Sequence, residues 1–145
     1  MHQKQDIIHS SIRKYCRHIR HAHIEVLRYD KKQNKLYWDL PAMASICHDG
    51  YYQQLARGYS DTPAKEKWAD VLSRIMTKLG GIGNKHKGCK NIIGRCAEQH
   101  AANKYIRKYN QNHIDKLYFT VAVRPRTMQV YPPCNNCKTI FPQLA

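Results

Sequence analysis

Ile8, Ile12, Tyr15 and Ile19 recur at steps of four, three and four along residues 5–21, with Lys14, Arg17, His18 and Arg20 between them. That spacing predicts an amphipathic helix with a basic outer face. Over residues 23–41 the period changes. Two short segments rich in β-branched and aromatic residues flank a polar loop, Asp30 to Asn34, which predicts an antiparallel hairpin whose second strand is broken by Pro41. Residues 41–59 read as partly helical. Residues 62–81 read as one helix capped by Thr62, opened by Pro63 and stopped by Gly80 and Gly81, with Trp68, Val71, Leu72, Ile75, Met76 and Leu79 as its core-facing stripe. A glycine-rich basic stretch, 80–94, reads as a flexible loop. A helix over 96–109 follows, with Ala97, Ala101, Tyr105 and Tyr109 at four-residue steps, small enough at its start for close packing on a sheet. KLYFTVAV, residues 116–123, is nearly continuously apolar and predicts a strand buried on both faces, central in its sheet. A short helix beginning near Pro133 and stopped by Pro142 closes the pattern.

These alternating elements predict an α/β fold, and 145 residues without a composition shift predict a single domain over 1–145. Apolar residues make up 42% of the chain, enough for a packed core, with no run of about 18 to cross a membrane. The first residues lack the apolar centre of a signal peptide, so the expected location is the cytoplasm of a producing or target cell, reached if necessary through a dedicated secretion system. Charge narrows the partners. With 25 Lys+Arg against 10 Asp+Glu, the formal net charge is +15, a field that attracts polyanions, nucleic acid first among them. Lys85, Lys87 and Lys90 in the basic loop are candidates for gripping its backbone. No phosphate-binding loop is present, because Gly81 and Gly83 are not completed to any such motif.

Six cysteines, two of them in a tight C-x-x-C, point to metal ligation in a reducing compartment rather than to a disulfide framework. Cys16, His18, His21 and His23 lie close in sequence but lack a second tight ligand pair at helical spacing, and read as solvated surface. Cys134 and Cys137, in the first turn of a helix, place two thiols on one face at the helix's positive end, where thiolates are favoured. Cys96, also at a helix start, can supply a third, and Glu98 can converge on the same point because helical side chains lean toward the N-terminus. Three protein ligands around Zn²⁺ leave one position open for water, the arrangement of a catalytic rather than a structural zinc. With Cys89 as fourth ligand, the same cysteines would instead make a closed structural zinc in a basic nucleic-acid-binding module.

Cys96-Ala97-Glu98 followed by Pro133-Cys134-Asn135-Asn136-Cys137 resembles the paired zinc motifs of the cytidine deaminase superfamily, with the strand KLYFTVAV between them. The resemblance covers residues 94–140. It implies a cytidine-deaminase-like α-β-α layered fold with a small mixed sheet, the N-terminal helix and hairpin taking the family's first positions. It also implies that Cys96, Cys134 and Cys137 bind zinc and that Glu98 shuttles the proton of hydrolytic deamination. On the same grounds the backbone N–H of Ala97 holds the pyrimidine carbonyl, and the carbonyl of Pro132 accepts from the exocyclic amine. Tyr131 is placed to stack on the base. A three-thiolate site has a net charge of −1, which a cation at Arg95 or Lys138 would offset.

Two features depart from the family pattern. Some 40 residues read as helical separate the hairpin from the first zinc helix, and only eight residues follow Cys137. Compact basic domains of this kind resemble the deaminase domains of bacterial polymorphic toxins, which an immunity protein holds in check. The expected function is therefore zinc-dependent conversion of cytosine to uracil in nucleic acid, single-stranded DNA or RNA, as a toxin or effector domain. Free cytidine is the alternative substrate, disfavoured by the charge and by the absence of an N-x-E ribose motif on the early strands.

Overall fold

A computed structural model describes residues 2–22, 27–30, 35–38, 40–86 and 88–144, of which 2–9, 27–30 and 35–38 are described by backbone alone. Helix α1 (His2–Ala22) is the expected amphipathic element. Among its residues from 10 onward, Ile12, Cys16 and Ile19 are buried. Cys16 is thus core and not surface, its thiol reaching toward the Val123 carbonyl at 4.0 Å. His18 and His21 are exposed, and His23 lies outside the described residues. Strands β1 (Leu27–Asp30) and β2 (Lys35–Trp38) pair antiparallel as predicted, Leu27 opposite Trp38 and Asp30 opposite Lys35, but form a separate two-stranded ribbon.

The main sheet is built from residues that the sequence pattern reads as partly helical. Strands β3 (Ala44–His48) and β4 (Leu55–Tyr59) pair antiparallel from Ala44 opposite Tyr59 to His48 opposite Leu55. All five residues of β3 are buried, so no period-2 alternation marks it as a strand. Asp49 closes the connection, its carboxylate accepting the N–H groups of Tyr51, Gln53 and Gln54. Beyond β3 lie β5 (Tyr118–Phe119) and β6 (Ala122–Val123), then β7 (Val130–Tyr131) paired with β6. Every described pairing is antiparallel, so the expected mixed sheet is corrected to an antiparallel one.

KLYFTVAV is not one unbroken strand. Cys47 faces Phe119 but Ala44 faces Val123, so one extra residue is inserted between the two pairings, a bulge at Thr120 and Val121. Thr120 bridges it, accepting the Ile46 N–H on its hydroxyl and donating its own N–H to the Ile46 carbonyl. The bulge turns Val121 outward, and Tyr118 and Val121 are about half exposed.

Helices cover both faces of this sheet. On one, α1 packs Ile12, Cys16 and Ile19 against Ala44, Ile46 and Val123. On the other, α3 (Ala97–Tyr109) packs Ala101, Ala102 and Tyr105 with Cys47 and Ala56, joined by Leu72 and Met76 of α2 (Asp70–Leu79) and Cys137 and Ile140 of α4 (Asn135–Ile140). Among the described residues no helix is long and apolar enough to cross a membrane.

Helix α3 lies on β4 with no side chain between them. A Cβ on Gly58 would sit 2.7 Å from the Ala101 Cα, a contact only backbone movement can relieve. Gly58→Ala is therefore expected to cost about 3 kcal/mol or more by overpacking. Denaturant melts check this, and a loss below about 1 kcal/mol would mean that α3 does not rest on β4 as described.

The helix expected over 62–81 begins only at Asp70, with Ala69 as its extended N-cap. Residues Pro63–Lys65 form a single 3₁₀ turn, and the Thr62 side chain makes no capping bond. Side chains of α3 hold the intervening segment away from helix. Asn103 accepts the Ala69 N–H and donates to the Lys67 carbonyl and the Glu66 carboxylate, while His100 sits between Glu66 Oε1 at 3.0 Å and the Asp61 carbonyl at 3.1 Å. These bonds satisfy polar groups that would otherwise be buried unpaired on α3, which outweighs the modest propensity of residues 62–69 for helix.

Candidate metal centre and cleft

Cys96 and Cys134 occupy equivalent positions, each the extended N-cap of the helix that follows. Cys137 lies one turn into α4. The fold thereby brings three thiols separated by 38 and 3 residues to one point, with all three sulfurs within 4.8 Å of one another and Cys96 Sγ 3.0 Å from Cys134 Sγ. A tetrahedral thiolate site with metal–sulfur bonds of about 2.3 Å needs sulfurs about 3.8 Å apart. The trio therefore fits a metal ion with small side-chain adjustments, and its donor set suits zinc. Cys89 is not in the cluster, so the four-cysteine closed site lacks its fourth ligand in this arrangement.

The three thiols do not share charge equally. Contacts with the Cys137 and Cys96 thiols, and then with the backbone of Cys137 and Asn136, hold Cys134 well below the ordinary thiol range. Its proximity, followed by burial, pushes Cys96 and Cys137 upward. These contacts favour thiolate character at Cys134 over its two neighbours.

Neutral donors also reach the sulfurs. The Gln99 amide donates to Cys137 Sγ at 3.4 Å and accepts the Gly94 N–H on its oxygen at 2.6 Å. Asn91 Nδ2 is 3.8 Å from Cys96 Sγ. Arg95 and Lys138, the residues expected to offset thiolate charge, are both exposed, and Arg95 lines the cleft described below. Motif spacing does not single out Gln99 or Asn91, because any side chain one turn along a helix or in a loop would pass unnoticed. Outer partners of metal ligands typically control affinity by about 10–100-fold, and Gln99→Leu is expected to weaken metal binding within that range. Competition with a chromophoric chelator checks it, and unchanged affinity would reduce Gln99 to a brace for the Gly94 turn.

Asn91 and Gly94 belong to the stretch read as a flexible loop. It is tied down on two sides. Gly83 and Ile93 bond each other's neighbourhood through Gly83 N to Ile93 O and Ile93 N to Asn84 O, with Ile93 fully buried. From α4, Asn135 donates to the Gly88 carbonyl and Asn136 to the Asn91 carbonyl. Lys85 and Lys90 are exposed along it, and Lys87 lies outside the described residues.

A cleft of about 280 Å³ opens over the thiols, lined among others by Met43, Ser60, Asn91, Arg95, Cys96, Ala97, Glu98, Arg124, Tyr131, Pro132 and Cys134. Of the residues singled out in the sequence, Arg95, Cys96, Ala97, Glu98, Tyr131, Pro132 and Cys134 meet here, while Cys137 is buried beside Cys96 and Cys134 and does not line the cleft. Glu98 is 5% exposed, and among the described residues no lysine or arginine pairs with it. Burial is the main cause, and the Cys134 charge a lesser one, of a carboxyl pushed up to about 7. A group balanced near neutrality can both take and return a proton. Arg124 escapes sequence reasoning altogether. It stands 4.6 Å from the Tyr131 ring centroid across the β6–β7 hairpin, placing a cation and an aromatic face together at the cleft.

No family model, curated protein or solved structure matches this chain.

Proposed function

We propose that the protein is a zinc-dependent deaminase that hydrolyses cytosine to uracil in single-stranded nucleic acid. The observation that carries this reading is the convergence of three thiols and a buried, unpaired carboxyl on one cleft, from the starts of two separate helices. A structural metal site has no use for a buried acid beside it. The order of elements supports the same reading. Taking β3 and β4 as the two strands between α1 and the first cysteine-bearing helix α3, with β5 to β7 between α3 and α4, gives an order compatible with a deaminase-like arrangement, to which the β1–β2 ribbon and α2 are additions.

Cys96, Cys134 and Cys137 would hold Zn²⁺, which supplies a Lewis acid that makes water nucleophilic near neutral pH. Glu98 takes a proton from the attacking water and delivers it to ring N3, then carries the second proton, from the hydroxyl added at C4, to the departing amine, so that cytosine and water give uracil and ammonia. Ala97 N–H, at the start of α3, is free of helical pairing and orients the pyrimidine carbonyl, while the Pro132 carbonyl receives the exocyclic amine. A cleft of this size takes one base and not a duplex, so the base must leave its stack. Tyr131 and Arg124 offer it a stacking face. The net charge of +15 favours a polymer over free cytidine. The same charge and the compact architecture, which resembles toxin deaminase domains, support reading the activity as that of a toxin or effector domain, with an immunity protein as the expected partner.

Turnover on a cytosine oligonucleotide and on free cytidine, measured across a salt series, tests the substrate. Faster, steeply salt-sensitive deamination of the oligonucleotide is expected. Equal turnover of cytidine without salt dependence would make this a nucleoside enzyme.

A further inference from the structure

A second pocket, of about 420 Å³, lies between α1 and the edge strand β4, lined by Ser11, Lys14, Tyr15, His18 and Arg57. The four helical residues are spaced three, one and three apart and so share one face of α1. Arg57 emerges on the same side of the sheet, because its alternate neighbours Leu55 and Tyr59 pack into the α1 cluster. Its guanidinium stands 5.9 Å from the Tyr15 ring centroid. Three basic side chains and two hydroxyls thus border one space. Among the described residues no carboxylate lines it or pairs with Lys14, His18 or Arg57.

The groove between α2 and α3 also carries cations, Arg74, Lys78 and Arg107, but adds Asp70 and an apolar floor of Val71, Ile75 and Ile106. Nor does the α1–β4 pocket offer the wide apolar floor of a protein-docking groove. Hydroxyls and cations without a competing acid suit phosphate oxygens.

We propose that this pocket binds phosphates of the nucleic-acid backbone, as a contact separate from the cleft. The proposal rests on the nucleic-acid reading given above. Arg57 lies three residues before Ser60, which lines the cleft, so the two residues are about 10 Å apart along the backbone, with the pocket on the α1 side and the cleft on the α3 side of the edge strand β4. A nucleic-acid strand passing around this edge reaches both. The pocket then acts as an anchor, holding the chain while a single base enters the cleft.

The test uses a probe without cytosine, so that it reads binding and not deamination. An oligothymidylate of about a dozen residues is titrated by fluorescence anisotropy at several salt concentrations against four proteins: wild type, Lys14→Ala/Arg57→Ala, Arg74→Ala/Lys78→Ala and the charge-conserving Lys14→Arg/Arg57→Lys. Each alanine pair removes two charges, all on exposed side chains. Loss of two phosphate contacts is expected to reduce the slope of log affinity against log salt by about 1.4 in the first pair. Affinity should fall about tenfold or more there and much less in the second pair, and Lys14→Arg/Arg57→Lys should retain it. Equal losses in both alanine pairs would show diffuse attraction by net charge and overturn the site, as would no loss in the first pair. An intact anchor with no uracil formed from any cytosine substrate would instead count against the deaminase reading alone.

Discussion

Glu98→Gln is expected to reduce cytosine turnover by about 10²–10⁴-fold, the usual worth of a positioned proton carrier, while the protein keeps one bound zinc. That is about 3–5.5 kcal/mol of transition-state stabilisation. The argument lies in the carboxyl's surroundings. Glu98 is buried at the start of α3, without a cationic partner among the described residues, and burial lifts its proton affinity to about 7. A carboxyl placed there for structure would gain from neutral replacement, since burying charge is costly. Glutamine should therefore leave the melting temperature unchanged or raise it. Activity retained in a stable, zinc-loaded Glu98→Gln protein would remove Glu98 from the chemistry.

Cys137→Ser is expected to abolish zinc binding at micromolar metal and activity with it. Cys137 is fully buried at the base of the trio and receives the Gln99 amide, so no other side chain can take its place. Zinc held by Cys96, Cys134 and Cys137 would also tie α3 to α4. Metal present at 100 times its dissociation constant stabilises a fold by about 2.7 kcal/mol, worth roughly 5–10 °C in a domain of this size. Chelating the wild type should lower its melting point by that amount, whereas Cys137→Ser should melt low and ignore the chelator. The two proteins can be compared by elemental analysis and thermal melts in parallel. Full zinc occupancy in Cys137→Ser would mean that the metal sits elsewhere.

The site was more legible in the sequence than the fold that builds it. Cys96, Glu98, Cys134 and Cys137 stand out because chemistry restricts residue type at metal and acid positions, and the structure brings these four together. The main hairpin did not stand out. The ASICH of β3 is buried at all five positions, with no alternation and only one β-branched residue, although Asp49-Gly50 after it is a turn signal, and Leu55 to Tyr59 does alternate. Residues 62–69 look helical locally but are kept out of α-helix by Asn103 and His100, partners more than 30 residues away. Non-local bonds of this kind leave no local pattern. The bulge at Thr120 is invisible for the same reason, since it is defined by register against β3. Arg124 and Gln99 gain meaning only once the hairpin and helix place them beside Tyr131 and Cys137.

The central claim is tested most directly by product analysis. Zinc-loaded protein is incubated with cytosine-containing single-stranded DNA, duplex DNA, RNA and free cytidine, each then digested to nucleosides and uracil products quantified by mass. Uracil products from a single-stranded polymer, well above those from duplex or free cytidine, are the expected result. A protein that binds its zinc and forms no uracil product from any of the four would contradict the account.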